Sequence, residues 1–321
     1  MYPNTPLLTA LVFVVLGLFF LERSSDWFVE GAAVLAKRFK VSPFIIGMVI
    51  IGFGTCAPEF IVSLMTGIGG KANLSLGNAY GSCIFNVAAI LGIAAIIRPL
   101  SVRKNIVKIA APALLVMTIL SFFFLKDGTI TRLEAVSLLL IFAIFFPIYC
   151  YYDRAPQPMA EVGGDPRAPR SLLAAAKLLF FGLLVMIGSS HFLVWGSVNL
   201  ARALGVSELL IGLTIVAIGT SLPELATAIQ SARKGQNEFI LGNIIGSNIF
   251  NTLVVVGTAS AFQGAAGYSK WVYLRDLPVL AFITLMISVL GKDGTITRKE
   301  GAFWLLIFIA YMILTVIQEA F

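Results

Sequence analysis

The chain has 321 residues, of which 59% are hydrophobic and only 12% charged, with a formal net charge of +7. A soluble globular chain averages about 25% charged residues, and a mean hydropathy of +0.95 places this one instead among polytopic α-helical membrane proteins. A β-barrel would show short alternating segments, and basic residues in a membrane chain set orientation, so no nucleic-acid partner is expected.

Apolar stretches close to the roughly 20 residues that cross a bilayer recur from end to end. The expected spans of the first half are 7–36, 43–69, 73–97, 105–125 and 133–152. The first run has no basic n-region and no small-residue cleavage site, so it reads as a span and not as a removable signal. Within it Glu22, Asp26 and Glu30 recur every fourth residue beside Arg23. Two readings stand. The three acids lie near the cytoplasmic end of a long helix, solvated or snorkelling, or Asp26 meets His191 where equivalent helices cross, a contact that would make the protein's activity pH-sensitive. The polar, Pro-rich stretch 153–171 reads as a short linker. The second half then offers spans 172–204, 206–232, 238–262, 271–291 and 300–318.

The two halves, 1–152 and 172–321, repeat one another. Gly-Phe-Gly-Thr-Cys-Ala-Pro-Glu (52–59) returns as Ala-Ile-Gly-Thr-Ser-Leu-Pro-Glu (217–224), 165 residues later. At the same offset, Gly-Asn-Ala-Tyr-Gly-Ser-Cys-Ile-Phe-Asn (77–86) returns as Gly-Asn-Ile-Ile-Gly-Ser-Asn-Ile-Phe-Asn (242–251). These motifs fall in the repeat cores 43–97 and 206–262. Lys-Asp-Gly-Thr-Ile-Thr-Arg also recurs, at 126–132 and 292–298. There Asp-Gly makes a turn, and Thr131 with Glu134, like Thr297 with Glu300, is a capping box opening the next span.

Loops after odd-numbered spans hold 16 Lys and Arg, those after even-numbered spans 6. The positive-inside rule puts the odd loops, and the linker, in the cytoplasm and both termini outside. Five spans per copy is an odd number, so the second copy enters the membrane upside down. The expected fold is an all-α membrane protein of ten helices in a five-plus-five inverted repeat.

A carboxylate at mid-span is a functional candidate by default. Glu59 and Glu224 each follow a proline, and Pro58 and Pro223 free the carbonyls of Gly54 and Gly219 by removing an N–H and opening the turn. Thr55, Thr220 and Ser221 add hydroxyls. Oxygen donors around two carboxylates suit Ca²⁺ or Na⁺ better than zinc or copper. Ser82 and Asn86, and likewise Ser247 and Asn251, share one helical face as a second wall. Taken singly, Gly-Ser motifs of this kind are common packing devices between membrane helices. Cys83 reads as a small packing residue and Cys150 as a bystander at a helix end.

Gly-Thr-x-x-Pro-Glu followed by Gly-Asn-x-x-Gly-Ser-x-x-x-Asn, present twice, resembles the α-repeats of the Ca²⁺/cation antiporter superfamily, most closely its prokaryotic sodium/calcium exchanger branch. The resemblance implies overlapping Ca²⁺ and Na⁺ sites between spans 2, 3, 7 and 8. It implies that Glu59, Glu224 and the carbonyls of Thr55 and Thr220 bind Ca²⁺, and that Gly52, Cys56, Ser82, Ala217, Ser221 and Ser247 help form Na⁺ sites. Asn86 and Asn251 would line the middle, and spans 1 and 6 would be the gating pair. Cys56 departs from the usual Ser, and a thiol is a poor ligand for a hard cation. The expected activity is therefore Ca²⁺ for Na⁺ exchange in a prokaryotic inner membrane, with no resident cofactor. H⁺/Ca²⁺ exchange and a cation channel are the alternatives. With no nucleotide-binding motif and only one histidine, an ATP-driven pump or an intramembrane protease lacks support.

Overall fold

The computed structural model of the chain describes residues 7–153, 171–205, 215, 217–263 and 267–320, nearly all of them helical. In the first half α1 is Leu7–Phe39, α2 and α3 are the arms Pro43–Thr55 and Ala57–Ile68 of one bent span, α4 is Ala72–Ile97, α5 is Ile106–Phe124 and α6 is Arg132–Tyr152. In the second half α7 is Leu172–Ala203, α8 is Leu222–Arg233, α9 is Asn237–Gln263, α10 is Val272–Asp293 and α11 is Arg298–Ala320. Among the described residues eight helices are long and apolar enough to cross a membrane, or nine with α2 and α3 counted as one span. Most of the linker expected at 153–171, and the start of the span expected at 206–232, lie outside the described residues.

Local chemistry sets the helix ends. Thr131 and Glu134 form the expected capping box on α6. On α11, Glu300 Oε2 accepts from Thr297 N–H (2.6 Å) while Thr297 Oγ1 accepts from Glu300 N–H (3.4 Å). The Asp-Gly turns before them hold Gly128 at φ +81° and Gly294 at φ +80°, the left-handed region that glycine enters without a steric cost. Ser42 and Ser171 cap α2 and α7 with their hydroxyls. The repeat extends to irregularities that no pattern rule reads. Wide π-type turns interrupt the first half at Phe85–Ile90 and Ile106–Ala110, and the second at Asn251–Val255 and Val272–Asp276. Such turns are local insertions enriched at functional sites.

Glycines show the inversion directly. A Cβ on Gly17 would meet Leu193 backbone at 2.8 Å and one on Gly182 would meet Phe28 at 3.0 Å; Gly31 faces Ala175 and Gly196 faces Ala10, each at 2.8 Å. α1 and α7 are thus antiparallel equivalents held at close range by small residues. Their apolar residues form a cluster with parts of α2, separate from the larger core built on α4, α5, α9 and α10. Loops after odd spans meet at one end: Leu100–Ser101 (β1) pairs antiparallel with Thr295–Ile296 (β2). Arg103 there bridges Glu238 (2.8 Å) and Asp153 (3.4 Å). At the other end, Tyr268 N–H bonds the carbonyl of Gly128.

The expected Asp26–His191 contact does not form. Equivalent positions on antiparallel helices meet only at the crossing point. With Gly17 opposite Leu193 and Phe28 opposite Gly182, His191 lies level with residues near 19, about two turns from Asp26. His191 is exposed, and Asp26 instead binds Lys234 at 2.7 Å.

Helix contacts this close give a test. A Cβ on Gly242 would stand 2.3 Å from the carbonyl oxygen of Phe44, whereas one on Gly188 meets nothing within 4 Å. Gly242→Val is expected to destabilise the detergent-solubilised protein by about 1–3 kcal/mol or more through overpacking. Gly188→Ala should be neutral or stabilise by about 0.5–1 kcal/mol. Thermal unfolding followed by size-exclusion chromatography distinguishes the two.

Candidate ion-binding site

Both polar breaks sit where the sequence combines glycine, threonine and proline. α2 ends at Thr55, Cys56 leaves helical geometry at ψ 0°, and α3 begins with Pro58 in its first turn, bent 48° from α2. In the second half the helical turn Ala217–Gly219 gives way to Thr220 and Ser221 before α8, again with proline in its first turn. Proline fits there because a first-turn N–H has no intrahelical acceptor anyway. Glu59 and Glu224 consequently occupy the first turns of α3 and α8. The partial positive charge of a helix N-terminus favours an anion at that place.

The glutamates are 0% and 1% exposed, and each reaches into the opposite break. Ser221 Oγ donates to Glu59 Oε1 at 2.7 Å and lies 3.1 Å from Ser82 Oγ. Thr220 also lies beside Glu59, while Thr55 and Cys56 lie beside Glu224, and the two carboxyls are near enough to interact through their charges. Glu59 Oε2 and both carboxyl oxygens of Glu224 are buried with no hydrogen-bond partner among the described residues. Buried polar oxygens without partners are uncommon because each costs about 1–3 kcal/mol, more when charged.

The walls follow the repeat. Thr220 Oγ1 is 3.4 Å from Asn78 Oδ1, and Thr55 Oγ1 is 3.4 Å from the equivalent Asn243 Oδ1, so each asparagine ties down the other half's break. Asn78 Nδ2 donates to the Glu59 carbonyl at 3.1 Å, and Asn243 Nδ2 to Thr227 Oγ1 at 3.2 Å. Ser247 Oγ lies 3.3 Å from the carbonyl of Gly52. Asn86 Nδ2 donates to Asn248 Oδ1 at 3.2 Å, leaving Asn86 Oδ1 unpartnered among the described residues; both polar atoms of Asn251 are unpartnered in the same sense. Eleven of the twelve expected site residues line these two breaks or the helices facing them. Of Ala217 only the backbone, opening its helical turn, is described.

One substitution breaks the mirror. Ser221 serves Glu59, but the equivalent Cys56 points its thiol 3.9 Å from the carbonyl of Ser247, and Glu224 is left without a donor among the described residues. A thiol is a weak donor, so this replacement removes one hydrogen bond from one side of the site only. Asn78, Asn243 and Asn248 were not among the expected site residues. For Asn78 and Asn243 the signal was the Gly-Asn pair that opens each second motif, whereas Asn248, whose repeat equivalent is Cys83, carries no repeated mark.

The donors are carboxyl, hydroxyl, amide and carbonyl oxygens, and no cluster of three or more His, Cys, Asp or Glu occurs among the described residues. Such an environment suits hard cations. The signature of the sodium/calcium exchanger protein family matches the chain over residues 9–150 and again over 175–317. The chain is 38% identical to the putative antiporter CaxA of Alkalimonas amylolytica, over 96% of this chain and 99% of that protein. It is 33% identical to the inner membrane protein YrbG of Escherichia coli, covering 88% and 89% of the two. Its fold matches a solved structure of the sodium-calcium exchanger NCX_Mj, soaked with Na⁺ and Sr²⁺, with TM-score 0.83 and 31% identity over 96% of this chain and 98% of that one. The chain, a multi-pass membrane protein with the family signature in both halves, belongs to the sodium/calcium exchanger family of transporters.

Proposed function

We propose that the protein is a secondary-active antiporter that exchanges Ca²⁺ for Na⁺ by alternating access. The observation that carries this reading is the pair of buried carboxyls, one from each inverted half, with three of four oxygens unpartnered among the described residues. Two negative charges facing one another in a low-dielectric interior need a counter-charge, and a divalent cation supplies it. Glu59 and Glu224, with the carbonyls of Thr55 and Thr220, would hold Ca²⁺. Ser82, Ser221, Ser247, Cys56 and the backbone at Gly52 and Ala217 would complete Na⁺ positions, and Asn86 and Asn251 would line the centre. One Ca²⁺ would neutralise the two carboxylates, and exchange would be electrogenic if more than two Na⁺ ions replaced it. α1 and α7 would rock against the fixed core that carries the breaks. The similarity to YrbG and the charge bias of the loops support an inner-membrane location with both termini outside.

Purified protein in proteoliposomes should accumulate ⁴⁵Ca²⁺ against an imposed Na⁺ gradient, and Glu59→Gln and Glu224→Gln should each abolish it. Uptake driven by a pH gradient in Na⁺-free medium would overturn the choice of Na⁺ as coupling ion.

Ligand-induced stabilisation checks the site without transport. Ca²⁺ at a hundred times its dissociation constant should stabilise the wild type by about 2.7 kcal/mol. The same Ca²⁺ should leave Glu59→Gln and Glu224→Gln unmoved, which thermal melts in detergent would show.

Cys56→Ser is expected to restore the mirror hydrogen bond to Glu224. Because a hydroxyl oxygen is also a harder ligand than a thiol, its apparent affinity for Na⁺, read from the Na⁺ dependence of ⁴⁵Ca²⁺ efflux, should rise several-fold.

A further inference from the structure

The structure places a charged clasp between α1 and the end of the helix that carries Glu224, with no counterpart among the described residues between α7 and the end of α3. α1 and α8 meet beside Arg233 and Lys234, at the end where the odd-numbered loops gather. There Asp26 Oδ1 binds Lys234 Nζ at 2.7 Å. One turn earlier, Glu22 Oε1 accepts from Gln230 Nε2 at 3.2 Å and pairs with Arg233 Nη1 at 3.4 Å. Gln230 Nε2 also reaches the Glu22 carbonyl at 3.4 Å. All of these bonds join α1 to the C-terminal turn of the helix whose first turn carries Glu224.

Among the described residues, the equivalent positions of the inverted half carry no such set of groups. The equivalents of Glu22 and Asp26 are Ile187 and His191 on α7, and those of Gln230, Arg233 and Lys234 are Met65, Ile68 and Gly69 at the end of α3. Met65 and Ile68 are 66% and 60% exposed. We propose that Glu22, Asp26, Gln230, Arg233 and Lys234 form a gate on the α1–α8 side alone, which holds that route shut and biases the empty carrier toward the opposite face. This rests on the alternating-access reading above. If α1 must part from α8 to admit ions, the clasp breaks only in that state, and a state populated less often binds with proportionally weaker apparent affinity. The bias is modest because partly exposed ion pairs are individually weak.

The experiment compares vesicles of both orientations. Glu22→Gln/Asp26→Asn should lower the apparent KM for Ca²⁺ about threefold on the gated face and raise it on the other, following the population shift. Asp26→Lys or Lys234→Asp alone should do the same, and the reversed pair Asp26→Lys/Lys234→Asp should restore the wild-type ratio. A purely structural role would move both faces alike. A second readout needs no transport: spin labels on Arg38→Cys and Gln236→Cys, with Cys150→Ser and the buried Cys56 and Cys83 left in place. The wild type should give one distance, the neutralised variant an added longer one, and the reversed pair the wild-type distribution. An unchanged distance distribution in the neutralised variant, or KM shifts in one direction on both faces, overturns the gate. Absent Na⁺-driven Ca²⁺ flux in the wild type would instead refute the exchange reading, and the spin-label distances would still decide the gate.

Discussion

Two carboxyl groups buried where hydrocarbon surrounds the protein are the constraint on which the rest depends. Removing an ionised carboxylate from water costs several kcal/mol even after the protein relaxes, and Glu59 and Glu224 are nearly fully buried. Several features offset that cost. Each acid sits in the first turn of a helix, where unbonded N–H groups converge. Each lies beside hydroxyls from the other half. Proline and glycine open the chain just before it, so that irregular backbone lines a polar space and not lipid. On the exchange reading proposed above, the transported cation would supply the remaining offset.

Placing one acid from each half at a common centre needs the halves to be antiparallel, and the helix contacts enforce this. Glycines on α1 and α7 bring the equivalent helices within backbone contact. Gly242 and Gly246 let α9 lie against α2 closely enough for Ser247 to reach the Gly52 carbonyl. Asn78 and Asn243 then hold the threonine of the opposite break. The site is therefore tied together by cross-half bonds. The departures from symmetry are Cys56 in the site and the acids of α1 near the end of α8, and on the exchange reading proposed above they are where the two directions of transport would differ.

Much of this was legible in the sequence because it is local or repeated. Span positions follow from hydropathy, the α6 and α11 starts from capping boxes, and the inversion from an odd span count. The breaks were readable from Pro58 and Pro223, whose missing N–H acts within one turn. What the sequence did not disclose depends on distance between halves. Nothing in a Gly-Asn pair says that Asn243 will hold Thr55. The π-type turns at Phe85–Ile90 and Asn251–Val255, six and five residues long, are irregularities that helix pattern rules do not read. Pairing Asp26 with His191 failed for a geometric reason. Repeat-equivalent residues on antiparallel helices coincide at one level only, and two turns away Lys234 offers the nearer opposite charge.

Cys83 and Asn248 occupy equivalent positions, and they touch each other. The Cys83 thiol lies 3.8 Å from the carbonyl of Asn248, whose side-chain amide donates to the Cys83 carbonyl at 3.0 Å. Only a residue on the pseudo-twofold axis can meet its own counterpart, so this contact marks where the axis passes. Two separate five-helix chains inserted in opposite orientations would make the same contact as an antiparallel homodimer, with one side chain facing an identical copy. Joining the copies in one gene lifts that requirement of self-complementarity. A compact thiol can then face an amide, and a vectorial machine can evolve from a dimer that had no direction.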